Sequence, residues 1–365
     1  MIGGGPCGLL LARLFSLEGH QVIVFEEHKQ IGLPRHCTGL VSENIFQAYG
    51  IGKGEAHVIQ DFSAGELLFG SKKMQIGFKP KALVLAREEF ELEMALKASL
   101  SGAELKVGQK VIYASKKDKG YALKTTDGFQ VSEYLADLVV DCSGAKKGLS
   151  GLQYEVEGKG PRWPQVYFEE KMPREYFYWV VPEGENRYLV GTASRAKTKE
   201  KLDTFLSSSK LRNELNVRKV LRAFGGLVVV DPPSSEFSSA FDGVLVAGDA
   251  ANQVKLTTGG GLIFSAVSAR ALASAFTSNQ ENNGFSNYAK WFYARKKEIY
   301  KYHFIRSLYL NLPTSLFEKA FGKRVQDYLY RHPLPYDDHS SFLREGAFAL
   351  GLDLILQMLG LDEQE

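Results

Sequence analysis

The 365-residue chain has little cysteine, no long apolar run and no large charge of one sign, and each shortage excludes something. Its three cysteines, Cys7, Cys37 and Cys142, form an odd and widely spaced set. They offer neither a disulfide framework nor the paired spacing of a metal site, so they read as thiols in a reducing compartment and no metal is expected. No stretch reaches ~18 uninterrupted apolar residues, so no spanning helix is expected, and no basic segment with an apolar run reads as a signal peptide. The expected location is cytoplasmic. Forty-five basic residues against 42 acidic ones leave a net charge of +3. That field is too weak to argue for nucleic acid, and no such partner is expected. At ~100–200 residues per domain, the length suggests about two domains.

Glycine is what the chain has in excess: 36 residues, where an average of ~7% would give fewer. The first cluster is Gly3-x-Gly5-x-x-Gly8, running straight into the helical apolar pattern Leu9–Leu17. Gly19 can stop that helix, and Gln21–Phe25 then reads as a strand ending at Glu26. Only two residues precede the loop, where a first strand normally has five or six. In such a βαβ unit Gly3 allows the tight turn, Gly5 lets backbone N–H groups meet a pyrophosphate, and Gly8 lets helix and strand pack closely. The helix N-terminus adds partial positive charge for the phosphates. Glu26, 18 residues past Gly8, can accept hydrogen bonds from a ribose, and with Glu27 it would repel a 2′-phosphate. A dinucleotide, NAD or FAD rather than NADP, is expected here.

A second loop follows the short apolar strand Val244–Val246: Gly248-Asp249-Ala250-Ala251, then Thr257-Thr258-Gly259-Gly260-Gly261-Leu262 opening a helix to Phe276. An NAD dehydrogenase has no need of it. An FAD enzyme does, because an Asp there can hold the ribityl chain and a second helix N-terminus can stabilise a reduced flavin ring. Between the loops, Arg87–Leu100 reads as a helix; Glu104–Val107, Val111–Ala114 and Leu138–Val140 read as strands. Residues 56–80 suggest a small sheet. Val166–Phe168, Tyr176–Val181 and Arg187–Gly191 suggest an antiparallel layer, with residues 183–186 as a hairpin turn. From about residue 285 the chain turns helical and aromatic.

These motifs in this order resemble the geranylgeranyl reductase family of FAD-dependent oxidoreductases, which share the p-hydroxybenzoate hydroxylase fold. The likeness covers about residues 1–280. It includes the N-terminal fingerprint, Ile31-Gly32-Leu33-Pro34-Arg35-His36-Cys37-Thr38-Gly39, Arg87 opening a helix, Val139-Val140-Asp141-Cys142-Ser143-Gly144-Ala145 and Gly151–Val156. It continues through Phe177-Tyr178-Trp179-Val180-Val181-Pro182 to Gly248–Gly261, a segment similar to archaeal members with Leu256 where they carry proline. The resemblance implies FAD contacts at Cys7, Glu26, Cys37, Thr38, Arg87, Val111, Asp249, Gly261 and Leu262. Within the same motifs it extends to Gly3, Gly5, Pro6, Gly8, Gly39, Gly144, Gly248 and Gly260. It implies substrate contacts at Phe177, Trp179, Val181 and Pro182. The family's strand motif ends in lysine where this chain has Glu183, which argues against an anionic headgroup at that strand end.

The expected fold is α/β (α+β overall). A Rossmann-like FAD-binding domain of the p-hydroxybenzoate hydroxylase/glutathione reductase type takes 1–55, 81–150 and 236–284. An inserted antiparallel-sheet substrate domain takes 56–80 and 151–235, and a C-terminal helical region takes 285–365. The expected reaction is reduction of C=C bonds in a polyprenyl chain, that of an isoprenoid lipid, with NAD(P)H or ferredoxin as electron donor. A flavin monooxygenase or halogenase acting on an aromatic or polyketide-like substrate is the alternative, and a non-catalytic prenyl carrier stands behind both. The Asp-Gly pair usual in such hydroxylases is broken here as Asp141-Cys142-Ser143-Gly144, and the halogenase Trp-x-Trp-x-Ile-Pro pattern lacks its first tryptophan at Phe177.

Cys37 is the candidate catalytic group, a thiol beside the flavin. A free thiol titrates near ~8.5, so such a group carries its proton at neutral pH unless a cation such as Arg35 or His36 stands against it. The competing reading is a small residue packed under the cofactor. Cys7 and Cys142 read as packing in tight turns. Phe177, Trp179 and Val181 share a strand face that can line an isoprenoid slot or simply form sheet core. Asp337-Asp338-His339 reads as a solvated turn. Lys290–Arg306 mixes lysines with aromatics; it reads as a helix packed on the flavin domain, with peripheral membrane contact as the other reading. Residues 346–360 read as a buried or interfacial helix.

Overall fold

The computed structural model describes residues 1–168, 175–233, 241, 243–277, 283–311, 313, 315–316, 322–339, 341 and 344–345. The segment 346–360 therefore lies outside the described residues.

The chain begins with residues 1–3 as the middle strand of a parallel sheet, then α1 (Pro6–Leu17), β1 (Ile23–Glu26), β2 (Leu40–Ser42) and α2 (Asn44–Tyr49). A long hairpin of β3 (Val58–Phe69) and β4 (Lys72–Leu85) leads to α3 (Arg87–Leu100) and β5 (Glu104–Val107). Next come β6 (Lys110–Lys116), β7 (Tyr121–Thr126), β8 (Val131–Ala136) and β9 (Val140–Asp141). Then follow β10 (Leu149–Lys159), β11 (Gln165–Phe168), β12 (Tyr178–Pro182), β13 (Arg187–Ser194), α4 (Thr198–Leu206), α5 (Ser209–Glu214) and β14 (Asn216–Val228). The chain closes with β15 (Leu245–Val246), α6 (Leu262–Thr277), α7 (Gly284–Asn311) and α8 (Lys323–Arg331).

The parallel sheet has the order β5, β1, Ile2, β9, β15. Ile2 pairs on one side with Phe25 and on the other with Asp141; Gly3 N–H donates to Phe25 O at 2.8 Å and Cys142 N–H to Ile2 O at 2.8 Å. A segment of three residues thus carries both ladders. Leu9, Leu10 and Leu11 of α1 are fully buried against the core shared with α3 and α6. Each buried leucine contributes about 1.5–3 kcal/mol, which is why α1 needs no side-chain cap to hold its position.

An eight-stranded sheet, ordered β14-β10-β13-β12-β11-β3-β4-β2, forms the second layer; it is antiparallel except between β11 and β3. The hairpin β3–β4 belongs to this large sheet rather than to a small one, and the sequence boundary at 80/81 falls inside β4. β6, β7 and β8 make a separate antiparallel sheet. On β12 the alternation is strict. Tyr178 and Val180 turn toward α4, where Tyr178 stacks on Phe205 at 4.0 Å between ring centroids. Phe177, Trp179 and Val181 take the other face. α7 buries Tyr288, Phe292, Ile299, Tyr302 and Ile305. The last three meet Val254, Leu256 and Phe264, so this helix packs on the second glycine loop. Among the described residues, no helix is long and apolar enough to cross a membrane.

Candidate active site

One cavity of about 710 Å³ lies between the parallel sheet and the large sheet. Its first end is the turn into α1. Gly3 has φ +99°, and a Cβ there would lie 2.7 Å from Cys142 O, so only glycine fits. A Cβ on Gly8 would lie 2.1 Å from Gly3 O, which is the close helix–strand approach the fingerprint requires. Gly5 differs from both. It caps α1 with φ −80°, and a Cβ there would meet nothing within 4 Å. It would project into open cavity. The first turn of α1 carries no acid, so its partial positive charge faces the cavity uncompensated, and Pro6 removes a donor that the helix does not need. At the end of β1 the Glu26 carboxylate accepts Gly4 N–H at 2.7 Å and His28 N–H at 2.9 Å.

The second end is the loop after β15. Gly248, at φ +67°, opens a 3₁₀ turn, Gly248–Ala251, that carries Asp249. A Cβ on Gly261 would lie 2.4 Å from Asp249 Oδ1, so glycine there is what lets the carboxylate sit at the foot of α6. Burial pushes the Asp249 carboxyl up to about 6, against the pull of the Arg87 charge and the Ser265 hydroxyl. Arg87, at the start of α3, is buried and paired with Glu91, yet its Nε has no hydrogen-bond partner. Lys255 is also buried on the cavity wall. Its Nζ donates to Tyr336 O at 2.9 Å and lies 4.3 Å from that ring's centroid. Burial lowers the Lys255 ammonium from 10.5 to about 8, with Asp337 opposing.

The Cys37 loop and the apolar wall meet between these ends. Arg35 pairs with Glu183 in the interior, its Nε donating to Cys37 O at 3.3 Å and its Nη2 to Thr38 O at 3.4 Å. The guanidinium also lies 4.7 Å from the centroid of Phe224. Glu183, which in sequence only replaced a lysine, therefore anchors this loop to the end of β12. Its own carboxyl is pushed up by burial and pulled back by Arg35. Thr38 Oγ1 donates to Gln153 Oε1 at 2.9 Å, and Trp179 Nε1 reaches the same oxygen at 3.4 Å. The Trp179 ring lies over Gly191, where a Cβ would come within 2.4 Å of it. Cys37 is partly exposed to the cavity and accepts Gly39 N–H at 3.4 Å.

Of the residues picked from sequence, Gly3, Gly5, Pro6, Cys7, Glu26, Cys37, Thr38, Gly39, Arg87, Val111, Gly144, Asp249, Gly260, Gly261, Leu262, Phe177, Trp179 and Val181 all border this one cavity. Gly8, Gly248 and Pro182 do not. Gly8 serves helix–strand packing, a Cβ on Gly248 would come 3.0 Å from Cys7 Sγ, and the strand alternation turns Pro182 away from the face of Val181. Cys7 is buried beside Cys142, and that contact and burial raise its thiol well above the ordinary value, an inert packing thiol. Sequence reading missed Lys255, Gln153 and Tyr336. Lys255 had a usable signal, a lysine inside a loop otherwise built of buried and small residues. Tyr336 had none. The Asp337-Asp338-His339 turn is half-buried and tied down rather than free in solvent: Ser42 Oγ donates to Asp337 Oδ2, and Thr257 Oγ1 and His339 Nδ1 lie 2.8 Å apart. Residues 334–339 strap β4, β2 and the second glycine loop together.

The cavity fits a flavin dinucleotide. The unpartnered Arg87 Nε, the Asp249 carboxylate on the cavity wall, the open cradle at Gly5 and Gly144 and the bare helix N-terminus are polar features left for a ligand to satisfy. Asp249 supplies a test of this. Its folded value of about 6 lies above the ordinary 3.8, so its contribution is intact below about pH 4 and is lost as pH rises to 6. Asp249→Asn should therefore raise apoprotein stability above pH 6 by about 2–3 kcal/mol and leave it unchanged at pH 4. Melting curves of flavin-free protein across that range check it. A gap between the two proteins that is equal at pH 4 and pH 7 would be evidence against it.

No protein-family model matches the chain. A digeranylgeranylglycerophospholipid reductase of Methanothermobacter thermautotrophicus is 26% identical over 296 residues, 74% of this chain and 75% of that protein. One from Methanopyrus kandleri is 26% identical over 337 residues, 82% of this chain and 86% of its own length. Among solved structures, a geranylgeranyl bacteriochlorophyll reductase-like protein of Thermoplasma acidophilum superposes with a TM-score of 0.81 at 20% identity, covering 94% of each chain. The flavin-dependent halogenase CmlS has a TM-score of 0.65 at 17% identity, covering 95% of this chain and 69% of its own. In sequence and in fold, then, the chain is an oxidoreductase resembling the geranylgeranyl reductase family, built on the p-hydroxybenzoate hydroxylase-like architecture.

Proposed function

We propose that the protein binds FAD and reduces isolated C=C bonds in the polyprenyl chain of an isoprenoid lipid. One observation carries this reading: the glycine cradle, the Asp249 loop and the apolar face Phe177–Trp179–Val181 all open on the same cavity. A carrier of prenyl chains would need the apolar face but not the two cradles.

Gly3, Gly5 and Pro6 with the α1 N-terminus would take the pyrophosphate, Glu26 the ribose, and Asp249 the ribityl chain. Cys37, Thr38, Gly39, Arg87, Val111, Gly144 and Gly260–Leu262 would border the rest. Bound in reduced form, FAD supplies the hydride that a C=C bond lacks the polarity to attract otherwise. The protein's share is position and a proton. A hydrocarbon has no polar handle, so the rigid wall of Phe177, Trp179 and Val181 must hold it within roughly 3–3.5 Å of the reacting atom. The strap of residues 334–339 and the strand β12 flank the cavity, Tyr336 meeting Lys255 on its wall. Cys37 Sγ holds the proton that completes the two-hydrogen addition. Lys255, cationic below about pH 8, offsets negative charge in the same space. The electron donor is NAD(P)H or ferredoxin, and the three unpaired cysteines suit a reducing, cytoplasmic setting.

Anaerobic incubation of the reduced holoprotein with geranylgeranyl lipids, followed by mass spectrometry, tests this reading. Products heavier by two hydrogens per reduced bond are expected. No gain with any of several prenyl substrates, together with rapid substrate-stimulated NADPH oxidation in air, would favour the hydroxylase reading instead.

A further inference from the structure

We propose that the outer face of α7 rests on an anionic lipid bilayer. The helix has two sides of opposite character. Its inner side buries Ile299, Tyr302 and Ile305 against the second glycine loop. On its outer side Lys290, Tyr293, Lys297, Tyr300, Lys301 and Phe304 recur at spacings of three and four residues. They make a stripe about 21 Å long at 1.5 Å per residue. The aromatics are well exposed, Tyr293 by 49%, Tyr300 by 45% and Phe304 by 59%. Aromatics and lysines are not mixed at random: the rings occupy one flank of the stripe and the lysines the other.

The charge pattern selects the partner. Lys290, Lys297 and Lys301 form no ion pair among the described residues. The helix's single acid, Glu298, is held by Arg295 away from the stripe. Exposed rings beside unpaired lysines match a headgroup layer, where rings enter the acyl boundary and lysine stems reach up to anionic phosphates. Nucleic acid fits less well, because the stripe is one convex helix face with no groove to track a phosphate backbone, and the whole chain carries only +3. The same helix reaches the cavity wall. Tyr309 Oη donates to Thr257 O at 2.7 Å, and its ring centroid lies 6.3 Å from that of Phe177. A bilayer under α7 would thus lie one helix away from the apolar face of the site.

Co-sedimentation of the full-length protein with vesicles tests this, using phosphatidylcholine alone and phosphatidylcholine with about 30% phosphatidylglycerol. These ester lipids carry no prenyl chain, so the result speaks to α7 alone and leaves the reductase reading to its own experiment. Binding to the anionic vesicles should exceed binding to neutral ones by at least about tenfold and be lost in about 0.5 M salt. The combined Lys290→Glu, Lys297→Glu and Lys301→Glu protein should lose it by a similar factor, and Tyr293→Ser with Phe304→Ser should weaken it, while both melt as the parent does. Equal capture by both vesicle types, unchanged capture of the charge-reversed protein, or a dimer that the same substitutions split would overturn the proposal.

Discussion

Gly5→Val is expected to leave the protein folded and to strip it of flavin. The backbone at Gly5 has φ −80° and ψ 179°, a conformation any residue adopts, and an added Cβ meets no protein atom. The melting temperature of the apoprotein should therefore move by no more than about 2 °C. The branched side chain would instead fill the space in front of the α1 N-terminus, where the N–H groups must approach a pyrophosphate. Losing those charge-assisted contacts should weaken FAD binding on the order of a thousandfold or more. Gly3 and Gly8 cannot serve as this test, because substitutions there collide with backbone within 2.7 Å and would unfold the turn itself. Equilibrium titration of FAD into both apoproteins reads the difference, and unaltered affinity in the valine protein would move the pyrophosphate elsewhere.

The second large effect is expected at Cys37. A positioned acid contributes typically 10²–10⁴-fold, so Cys37→Ala should slow alkene reduction by about that factor while changing FAD affinity by less than about tenfold. The loop should stay in place, since Arg35, Glu183 and the Thr38–Gln153 hydrogen bond hold it without the thiol. Stopped-flow single-turnover rates separate the step from binding. If the rate of the alanine protein equals that of the parent, the thiol is packing and the proton comes from another cavity group. Lys255 is then the next to substitute, because its ammonium would impose a decline in rate above about pH 8.

How far the sequence disclosed this site follows from how local each signal was. The two glycine loops were legible because the constraints on Gly3, Gly8 and Gly261 act within single turns that any reader of φ and close approach can locate. α3 and β5 were legible for a similar reason, being periodic segments with clear ends. β12 was legible through alternation, since one face packs under α4 and the other borders the cavity. β14 was not: as an exposed edge strand it shows no alternation of buried and exposed positions. The Arg35–Glu183 pair joins residues 148 apart, and Lys255 meets Tyr336 81 residues on, so neither partner could be named without the fold. Glu183 is the instructive case. Read alone it argued only against an anionic headgroup; in the fold it holds the Cys37 loop to the substrate strand.

The central claim is that a flavin and an isoprenoid chain share one cavity. A single anaerobic turnover tests it most directly: holoprotein reduced by one equivalent of dithionite per flavin, mixed with a geranylgeranyl lipid, followed by flavin absorbance and product mass together. The account predicts that oxidised-flavin absorbance returns on adding the lipid, with one two-hydrogen mass gain per flavin. A folded protein that takes up no FAD, or a reduced holoprotein whose absorbance and lipid mass both stay unchanged, would contradict it.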